Sequence, residues 1–372
     1  METRTEIPPV GSRRRGRRAS SAAGVAVATL VAAGVLVGSP AGSAASPGTP
    51  TGHRGTAVTD QWSPGGSGPA VAAPTDVAVA AYPQPGRVAG DIGVHDPTVV
   101  KRPEGGYLVA HTGTNVALKT STDRITFRNA GAVFPGGAPW TTTYTNGSRN
   151  LWAPDLSYHN GRYLLYYSAS TFGSNRSAIF LATSTTGASG SWTHEGLVVE
   201  SRTSDNFNAI DPNLTVDDQG RWWLSFGSFW SGIKLVPIDP ATGRRSGTAM
   251  HSLASYGPGI EAPVIVKRGA WYYLYVSFDR CCQGAASTYR TMVGRSAAPT
   301  GPFLDRAGRN MLSGGGTEIL ASHGSVHGPG HPAVLADHDG DLLFYHYYAD
   351  NGVSLLGINR IGYDAAGWPY LF

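Results

Sequence analysis

The sequence contains little cysteine and lacks several common catalytic motifs. Its only two cysteines, Cys281 and Cys282, are adjacent and cannot crosslink distant loops. A vicinal disulfide and a pair of reduced, partly buried thiols both fit this spacing. No CxxC pair or HExxH run is present, which argues against a zinc ribbon and a zincin. The absence of a GxSxG sequence argues against nucleophilic acyl chemistry.

Long apolar runs are also missing, apart from one near the N-terminus. Five arginines between Arg13 and Arg18 precede an apolar run at 24–37, which is too short for a membrane span of about 20 residues. Small residues at 43–45 suit cleavage, so residues 1–45 predict a signal peptide for secretion, by either the general or the twin-arginine route. We expect an extracellular protein that keeps no membrane attachment after cleavage.

Without this leader the chain has no excess of charge of either sign. Residues 1–45 hold six arginines and two glutamates, which leaves 23 basic and 23 acidic side chains. The pI near 9.0 is therefore a property of the leader, and no surface for nucleic acid or anionic lipid is predicted. Residues 46–80, rich in Pro, Gly, Ser and Ala, predict a disordered linker. Residues 81–372 predict one large domain.

Five segments place a proline at the head of an apolar strand, with an acid or a histidine close by. They are HDPTVV (95–100), WAPDLS (152–157), IDPNLT (210–215), EAPVIV (261–266) and HPAVLA (331–336). Successive prolines are 51 to 69 residues apart, and each segment is followed by a polar turn and an aromatic-rich strand. Such turns between β-branched and aromatic runs are typical of hairpins. An internal repeat of this kind indicates a propeller or a solenoid.

The repeat predicts an all-β protein, a five-bladed β-propeller. A sandwich or a parallel β-helix would also suit a glycine-rich all-β chain, but a repeat of this length with three or four strands fits a propeller blade best. The first strand of each blade lines the central channel. Asp96, Asp211 and His331, each directly before its proline, share one parity, and Asp155 has the same parity. Glu261 breaks the parity but lies at the strand entry, within reach of the same mouth.

Carboxylates that converge on one axis suggest a chemical role. A single Asp before proline is more often a turn residue, but five related positions weaken that interpretation. Close carboxylates raise at least one pKa, and both oxygen-ligand metal binding and acid/base glycoside hydrolysis use such groups. Nearby aromatic residues favour hydrolysis because they offer stacking faces for sugar rings, although most aromatics fill blade interfaces. These residues are Trp152, Phe172, Phe229 and Trp230.

Several segments resemble the endo-1,5-α-L-arabinanases of glycoside hydrolase family 43. They are NAIDPN (208–213), SFGSFWSG (225–232), GIEAP (259–263), SFDRCCQG (277–284), GH (330–331) and YHYY (345–348). The resemblance runs in order from about Asp91 to the C-terminus. It implies a five-bladed propeller and an inverting hydrolase of internal α-1,5 bonds in linear arabinan, a pectin side chain. Alternatives are an exo-acting arabinanase or arabinofuranosidase, a β-xylosidase of the same fold, and a non-catalytic carbohydrate-binding propeller.

The resemblance also implies roles for individual residues. Asp96 matches the general base that activates water, Glu261 the general acid that protonates the leaving oxygen, and Asp211 the residue that tunes and orients that acid. In an inverting enzyme the acid and the base should stand roughly 6.5–9.5 Å apart. The residues expected to contact or support the substrate are Trp152, Asp155, Phe172, Asn208 and Ser228.

His331 matches a family histidine near the propeller axis that is associated with a metal, usually calcium. Calcium prefers oxygen ligands, so one imidazole would need several waters to complete the shell. The resemblance also favours a vicinal disulfide at Cys281 and Cys282, near the substrate cleft. We expect no organic cofactor, a polysaccharide as the partner, and a monomer.

Overall fold

Each of the five proline-headed segments lies in its own β-sheet. The computed structural model describes residues 82–372, and within them five sheets form a five-bladed β-propeller, which confirms the predicted fold. The predicted signal peptide (1–45) and linker (46–80) lie outside the described residues. No helix within residues 82–372 has the length and hydropathy needed to cross a bilayer.

The first two blades hold five strands each, in the orders β1-β6-β5-β3-β2 and β10-β9-β8-β7-β4. Their bounds are β1 (Ala89–Gly90), β2 (Thr98–Lys101), β3 (Tyr107–His111), β4 (Gly113–Thr114), β5 (Ala117–Ser121), β6 (Thr126–Ala132), β7 (Asn150–His159), β8 (Arg162–Ala169), β9 (Ser177–Ser184) and β10 (Thr193–Ser201). Strand β4 leaves the first blade to pair with β7. A 3-10 turn at Pro139–Thr141 and helix α1 (Thr142–Thr145) connect the two blades.

The other three blades are four-stranded meanders in sequence order. Their bounds are β11 (Asn213–Val216), β12 (Trp222–Phe226), β13 (Ile233–Ile238), β14 (His251–Ala254), β15 (Ile260–Arg268), β16 (Trp271–Phe278), β17 (Arg290–Ser296), β18 (Thr317–Leu320), β19 (His327–Asp337), β20 (Gly340–Tyr348), β21 (Ser354–Tyr363) and β22 (Pro369–Leu371). Short 3-10 turns at Gly284–Ala286 and Met311–Ser313 lie in the connections of the fourth blade.

Aromatic residues fill the interfaces between blades. The second strand of a blade is covered on both faces by neighbouring blades, so its sequence is a nearly continuous apolar run instead of an alternating one. In β8, Tyr163, Tyr166 and Tyr167 are all buried, and Tyr163 and Tyr166 belong to different core clusters on opposite faces of the strand. The aromatic-rich runs of the sequence are therefore explained mainly by packing.

All five residues that precede the aligned prolines have a left-handed backbone. Their φ angles lie between 43° and 58°, a region that non-glycine residues seldom adopt and that costs about 1–3 kcal/mol. In three blades the strand register shifts at the same point, which marks a β-bulge. Bulges turn a side chain away from the regular pleat, and here they turn it toward the propeller mouth. The five residues are Asp96, Ala153, Asp211, Ala262 and His331.

Each of these strained residues donates its amide hydrogen to a side chain of the preceding blade. The donor and acceptor pairs are Asp96 N to His346 Nδ1 (3.1 Å), Ala153 N to Thr112 Oγ1 (2.8 Å), Asp211 N to Ser168 Oγ (3.0 Å), Ala262 N to Asp211 Oδ2 (3.1 Å) and His331 N to Ser277 Oγ (2.8 Å). Four acceptors lie at the end of a second strand or directly after it. In the remaining pair the acceptor is Asp211, itself one of the five.

The ring closes between the fifth and first blades by side-chain contacts and isolated backbone bonds. Within residues 82–372 these two blades share no strand, since all four strands of the fifth come from the C-terminal end. Asp337 binds Lys101 (2.6 Å) and Arg124 (2.9 Å), and Arg124 also binds Asp339 (2.7 Å). The amide of Leu356 donates to the Ile92 carbonyl at 2.9 Å. Polar contacts and a buried apolar cluster that includes Val99 and Phe344 therefore close the ring together.

Candidate active site

A cavity of about 980 Å³ lies at the propeller mouth, where the bulges are. The three carboxylates predicted to be catalytic, Asp96, Asp211 and Glu261, all line it, and so does His331. Four of the five residues expected to contact substrate also line it, namely Trp152, Phe172, Asn208 and Ser228. The structure therefore gathers residues from all five blades at one place, as the repeat predicts.

Asp155 lies elsewhere. It lines the central channel, a separate cavity of about 260 Å³. Its carboxylate accepts hydrogen bonds from Asn213 Nδ2 (3.0 Å) and the Leu214 amide (2.8 Å), and burial raises its pKa to about 6. Strand parity correctly predicted that Asp155 faces inward. Asp155 follows its proline, however, so it lies further down the channel than the residues that precede their prolines. Asp155 therefore links the second and third blades beneath the mouth.

Asp96 is surrounded by hydrogen-bond donors. Its Oδ1 lies 2.8 Å from His95 Nδ1 and 3.1 Å from His331 Nδ1, and its Oδ2 accepts the Thr112 hydroxyl at 2.5 Å. Burial opposes ionisation, but His95 and His331 outweigh it and hold the pKa of Asp96 well below its usual range. This aspartate is therefore ionised across the physiological pH range.

His331 carries the complementary charge. Burial disfavours the imidazolium, but the neighbouring carboxylates, above all Asp96, outweigh it and raise the pKa of His331 to about 9. Its backbone amide donates to Ser277 Oγ at 2.8 Å, which fixes the residue between the fourth and fifth blades. A positive imidazole beside three carboxylates relieves their mutual repulsion.

Glu261 has the opposite surroundings to Asp96. Its Oε2 accepts the Ser228 hydroxyl at 2.6 Å and its Oε1 accepts the Tyr289 hydroxyl. Burial raises the pKa of Glu261, and these two hydrogen bonds offset only part of the rise. No cation contacts this carboxyl among the residues that the structure describes. Glu261 is thus a carboxyl that holds its proton more tightly than usual.

Asp211 supports the backbone that carries Glu261. Its Oδ2 accepts the amide of Ala262, the strained residue next to Glu261, at 3.1 Å. Burial raises the pKa of Asp211 well above its usual range; His331 counteracts this rise and Glu261 adds to it. Asp211 and Glu261 therefore influence each other both through the chain and through charge.

Aromatic and amide groups cover the remaining walls. Trp152 and Phe172 meet edge to face with ring centroids 6.3 Å apart, and Phe172 is 78% exposed. Trp230 is also exposed, and its backbone, like that of Phe229, is left-handed. Asn208 is buried, and its Oδ1 has no hydrogen-bond partner within residues 82–372. Exposed ring faces and a free amide oxygen are groups that suit sugar rings and hydroxyls.

Cys281 and Cys282 are joined in a vicinal disulfide, and both line the cavity. Sequence reasoning singled out neither Thr112 nor Tyr289, although each binds a predicted catalytic carboxylate. Thr112 could have been found from its position, because it lies directly after the second strand of its blade. Ser168 and Ser277 lie at the end of the second strand of theirs. Tyr289 has no such signal, because tyrosines are frequent throughout the chain.

The surroundings of His331 suit a cation that keeps most of its water. His331 also lines the polar central channel, and its Nε2 makes no hydrogen bond to residues 82–372. In the described part of the chain, three sets of potential metal ligands have ligand atoms within 4.8 Å of one another inside the set, and none of these sets includes His331. A cation would bind His331 Nε2 only after this nitrogen loses its proton, and water would supply most of the roughly six to eight oxygen ligands that calcium takes.

Comparison with known proteins identifies the family. The sequence model described as "Glycosyl hydrolases family 43" matches residues 90–369. The chain belongs to glycosyl hydrolase family 43. This confirms the family resemblance drawn from the sequence motifs.

Relatives in family 43 include both endo-acting and exo-acting proteins. The chain is 43% identical over 287 residues to extracellular endo-alpha-(1->5)-L-arabinanase 1 of Bacillus subtilis, covering 74% of this chain and 87% of the relative. It is 36% identical over 302 residues to extracellular exo-alpha-(1->5)-L-arabinofuranosidase ArbA of Cellvibrio japonicus, covering 76% and 87%. The solved GH43 endo-arabinanase of Bacillus licheniformis matches with a TM-score of 0.72 and 44% identity, covering 76% of this chain and 99% of that one.

Proposed function

We propose that this protein is an extracellular endo-1,5-α-L-arabinanase that cleaves internal bonds of linear arabinan with inversion. The observation that carries the proposal is one cavity holding two carboxyls with opposite proton affinities, Asp96 and Glu261. The names of the relatives support the substrate, and two of them support an extracellular location. An acid and a base on separate carboxyls are what glycoside hydrolysis requires.

Asp96 acts as the general base. Its Oδ1 already faces two imidazole nitrogens, from His95 and His331, and its Oδ2 accepts only the Thr112 hydroxyl. A carboxylate oxygen has two lone pairs, so Oδ2 keeps one that can accept a proton from the attacking water. The low pKa keeps this oxygen ionised, and its fixed neighbours leave one direction for the water.

Glu261 acts as the general acid and protonates the leaving glycosidic oxygen. Its raised pKa favours the protonated form that an acid catalyst needs. Ser228 and Tyr289 fix both carboxyl oxygens, and Asp211 fixes the bulge through the Ala262 amide. Asp211 thus positions the acid, and its negative charge, when present, disfavours ionisation of Glu261.

The arabinan chain lies along the aromatic walls of the cavity. A volume of about 980 Å³ is at the top of the range of about 300–1,000 Å³ that suits a drug-sized ligand, which leaves room for several pentose units. Trp152 and Phe172 stack on sugar faces, and Asn208 accepts a hydroxyl. The Ser228 hydroxyl donates to the Glu261 carboxyl, so any contact of Ser228 with substrate is next to the acid.

A calcium ion, when bound, would be held by His331 Nε2 and water on the channel side. It would supply positive charge beneath the three carboxylates. In its absence a proton on His331 supplies that charge, with Nδ1 directed at Asp96.

Incubating the secreted protein with debranched arabinan tests the proposal. Endo action predicts a rapid fall in viscosity and a mixture of short oligosaccharides, formed as the initial β-anomers if the α-bond is inverted. Arabinose as the sole early product would instead identify an exo-acting enzyme. No hydrolysis, with binding retained, would identify a carbohydrate-binding propeller.

The variant Glu261→Ala provides the control. We expect it to bind arabinan and to hydrolyse it about 10²–10⁴-fold more slowly than the parent. A variant as active as the parent would show that Glu261 is not the acid.

A further inference from the structure

A chain of hydrogen bonds joins the disulfide loop to Asp96. The backbone amide of Cys282 donates to the Tyr348 hydroxyl oxygen at 2.9 Å. That oxygen lies 2.7 Å from His95 Nε2, and His95 Nδ1 lies 2.8 Å from Asp96 Oδ1. The four residues come from two loops and one strand, and they are brought together at the junction of the first and fifth blades.

Chemistry fixes the direction of two of these three bonds, and the third depends on where the Tyr348 proton lies. A backbone amide can only donate, so the Tyr348 oxygen accepts from Cys282. The Tyr348 hydroxyl lies 2.7 Å from His95 Nε2 and donates to it when that nitrogen carries no hydrogen. A neutral imidazole with an unprotonated Nε2 carries its hydrogen on Nδ1. His95 therefore donates from Nδ1 to Asp96 Oδ1, and each donor in the chain has an acceptor.

Packing holds the His95 ring in the plane that this chain requires. The ring stacks on His346, with centroids 3.9 Å apart and an interplanar angle of 25°. Stacking fixes the plane but allows a flip that exchanges the ring nitrogens with carbons. The hydrogen bond from Tyr348 opposes this flip because only Nε2 can accept it.

The disulfide loop provides the fixed end of the chain. Cys282 has a φ of 70°, which an unconstrained cysteine seldom adopts. The bond to Cys281 and the hydrogen bond from the Gln283 amide to Ser287 Oγ (3.0 Å) restrict the backbone on both sides of this residue. The amide of Cys282 is thereby directed at Tyr348.

We propose that Tyr348 and the Cys281–Cys282 loop are a positioning device that sets the tautomer of His95 and, through it, the orientation of Asp96. The inference rests on the proposed role of Asp96 as the base. It adds Tyr348 and His95 as positioning residues and leaves Oδ2 as the oxygen that faces water. The disulfide then contributes to catalysis through backbone geometry, without a redox step.

A double-mutant cycle on debranched arabinan tests the device. Tyr348→Phe should lower kcat about tenfold with KM within about twofold, because the base is misaligned while the sugar contacts remain. The side chain of His95→Asn keeps an N–H near the position of Nδ1 but offers nothing to Tyr348. In that background Tyr348→Phe should change kcat by less than about twofold. Tyr347→Phe, on the same strand but not in the cavity, is the matched control and should match the parent.

Equal losses from Tyr348→Phe in both backgrounds would overturn the proposal, because they would show that the hydroxyl acts without His95. A rise in KM with unchanged kcat would also overturn it, since Tyr348 would then contact the substrate.

Nitrogen NMR of the histidine rings gives a readout that does not depend on activity. The parent should show His95 as the Nδ1–H tautomer, assigned by loss of its signals in His95→Asn. Tyr348→Phe, and separately reduction of the disulfide with dithiothreitol, should lower the share of His95 that is in the neutral Nδ1–H form. A parent with Nε2–H or a doubly protonated ring would overturn the device even if the enzyme is active. An inactive parent with the Nδ1–H tautomer would count against the proposed function alone.

Discussion

Two blade junctions each carry one of the main carboxyls of the site, and their surroundings are opposite. At the junction of the fifth and first blades, Asp96 is faced by imidazoles from His95 and His331. At the junction of the third and fourth blades, the Glu261 carboxyl accepts hydrogen bonds from the hydroxyls of Ser228 and Tyr289, and no cation of residues 82–372 contacts it. Both junctions carry a left-handed residue directly before the proline, Asp96 in one and Ala262 in the other, so the backbone repeat does not decide which carboxyl ionises. The neighbours of each carboxyl decide it, and they come from its own blade as well as from the adjacent one.

The same contrast extends to the outer parts of these junctions. The Asp337 side chain has no exposed surface and binds Lys101 and Arg124, which lie in the blade at the other end of the chain. The corresponding ion pair between the third and fourth blades joins Lys267 to Asp218, whose side chain is 65% exposed. Within residues 82–372 the closing junction has no shared strand, and ionic contacts to the buried Asp337 carboxylate are part of what replaces it.

The largest expected effect comes from removing either carboxyl. Asp96→Asn and Glu261→Gln keep the shape of each side chain but not its proton chemistry. We expect both to lower kcat on arabinan about 10²–10⁴-fold, with thermal unfolding close to that of the parent. Initial rates on debranched arabinan measure the loss. A loss confined to one variant would mean that the two junctions do not share the reaction.

The second effect is a difference between the two junctions in how much an ion pair contributes to the free energy of unfolding. Asp337→Asn should lower the free energy of unfolding by about 2–4 kcal/mol, because Lys101 and Arg124 lose a buried partner. The matched control Asp218→Asn should stay within about 0.5 kcal/mol because its pair is exposed. Urea unfolding measures both. Equal losses of unfolding free energy in the two variants would show that ion pairs stabilise the closing junction no more than they stabilise the junction of the third and fourth blades.

The pH dependence of that difference has a defined sign. Burial disfavours ionisation of Asp337, but Lys101 and Tyr107 lead the hydrogen bonds that outweigh it and lower its pKa. A carboxyl with a lowered pKa stabilises the fold above about pH 4, and this contribution is lost as the pH falls. The gap between the parent and Asp337→Asn should therefore narrow in acid.

The smallest effect concerns the hydroxyls around Glu261. Ser228→Ala removes a hydrogen bond that lowers the pKa of Glu261, so that pKa should rise further. Activity is lost when the acid loses its proton, so the alkaline limb of kcat/KM against pH should move to higher pH, with less than about tenfold loss in rate. Ser231→Ala, whose buried hydroxyl has no partner within residues 82–372, is the control. A shift to lower pH would contradict the assigned surroundings.

Repetition in the sequence predicted the five-bladed architecture and the convergence of acids at one mouth, and the family resemblance supplied the expected role of each acid. Five prolines at related spacings gave five blades, and the polar residues beside them gave Asp96, Asp211 and Glu261 at one mouth. The face of the strand on which a side chain lies was easier to predict than its depth along the channel. Asp155 has the right parity but lies in the channel, because each residue along a strand advances about 3.3 Å.

The neighbours of each carboxyl could not be predicted from local patterns. Tyr348 is 253 residues from His95, and their contact depends on how the ring closes. Tyr289 reaches Glu261 from the connection after the disulfide, and nothing in its local sequence distinguishes it from other tyrosines. Such contacts depend on the relative placement of blades, which short-range periodicity does not encode.

The most direct test of the central claim uses an arabino-oligosaccharide with 2,4-dinitrophenol at its reducing end. This leaving group departs without protonation, so only the base is needed. Glu261→Gln should release dinitrophenol within about tenfold of the parent rate, whereas Asp96→Asn should be slower by about 10²-fold or more. The assignment of base and acid to the two junctions would be contradicted if Asp96→Asn released dinitrophenol near the parent rate while Glu261→Gln did not. Equal rates of release by the two variants would contradict it as well.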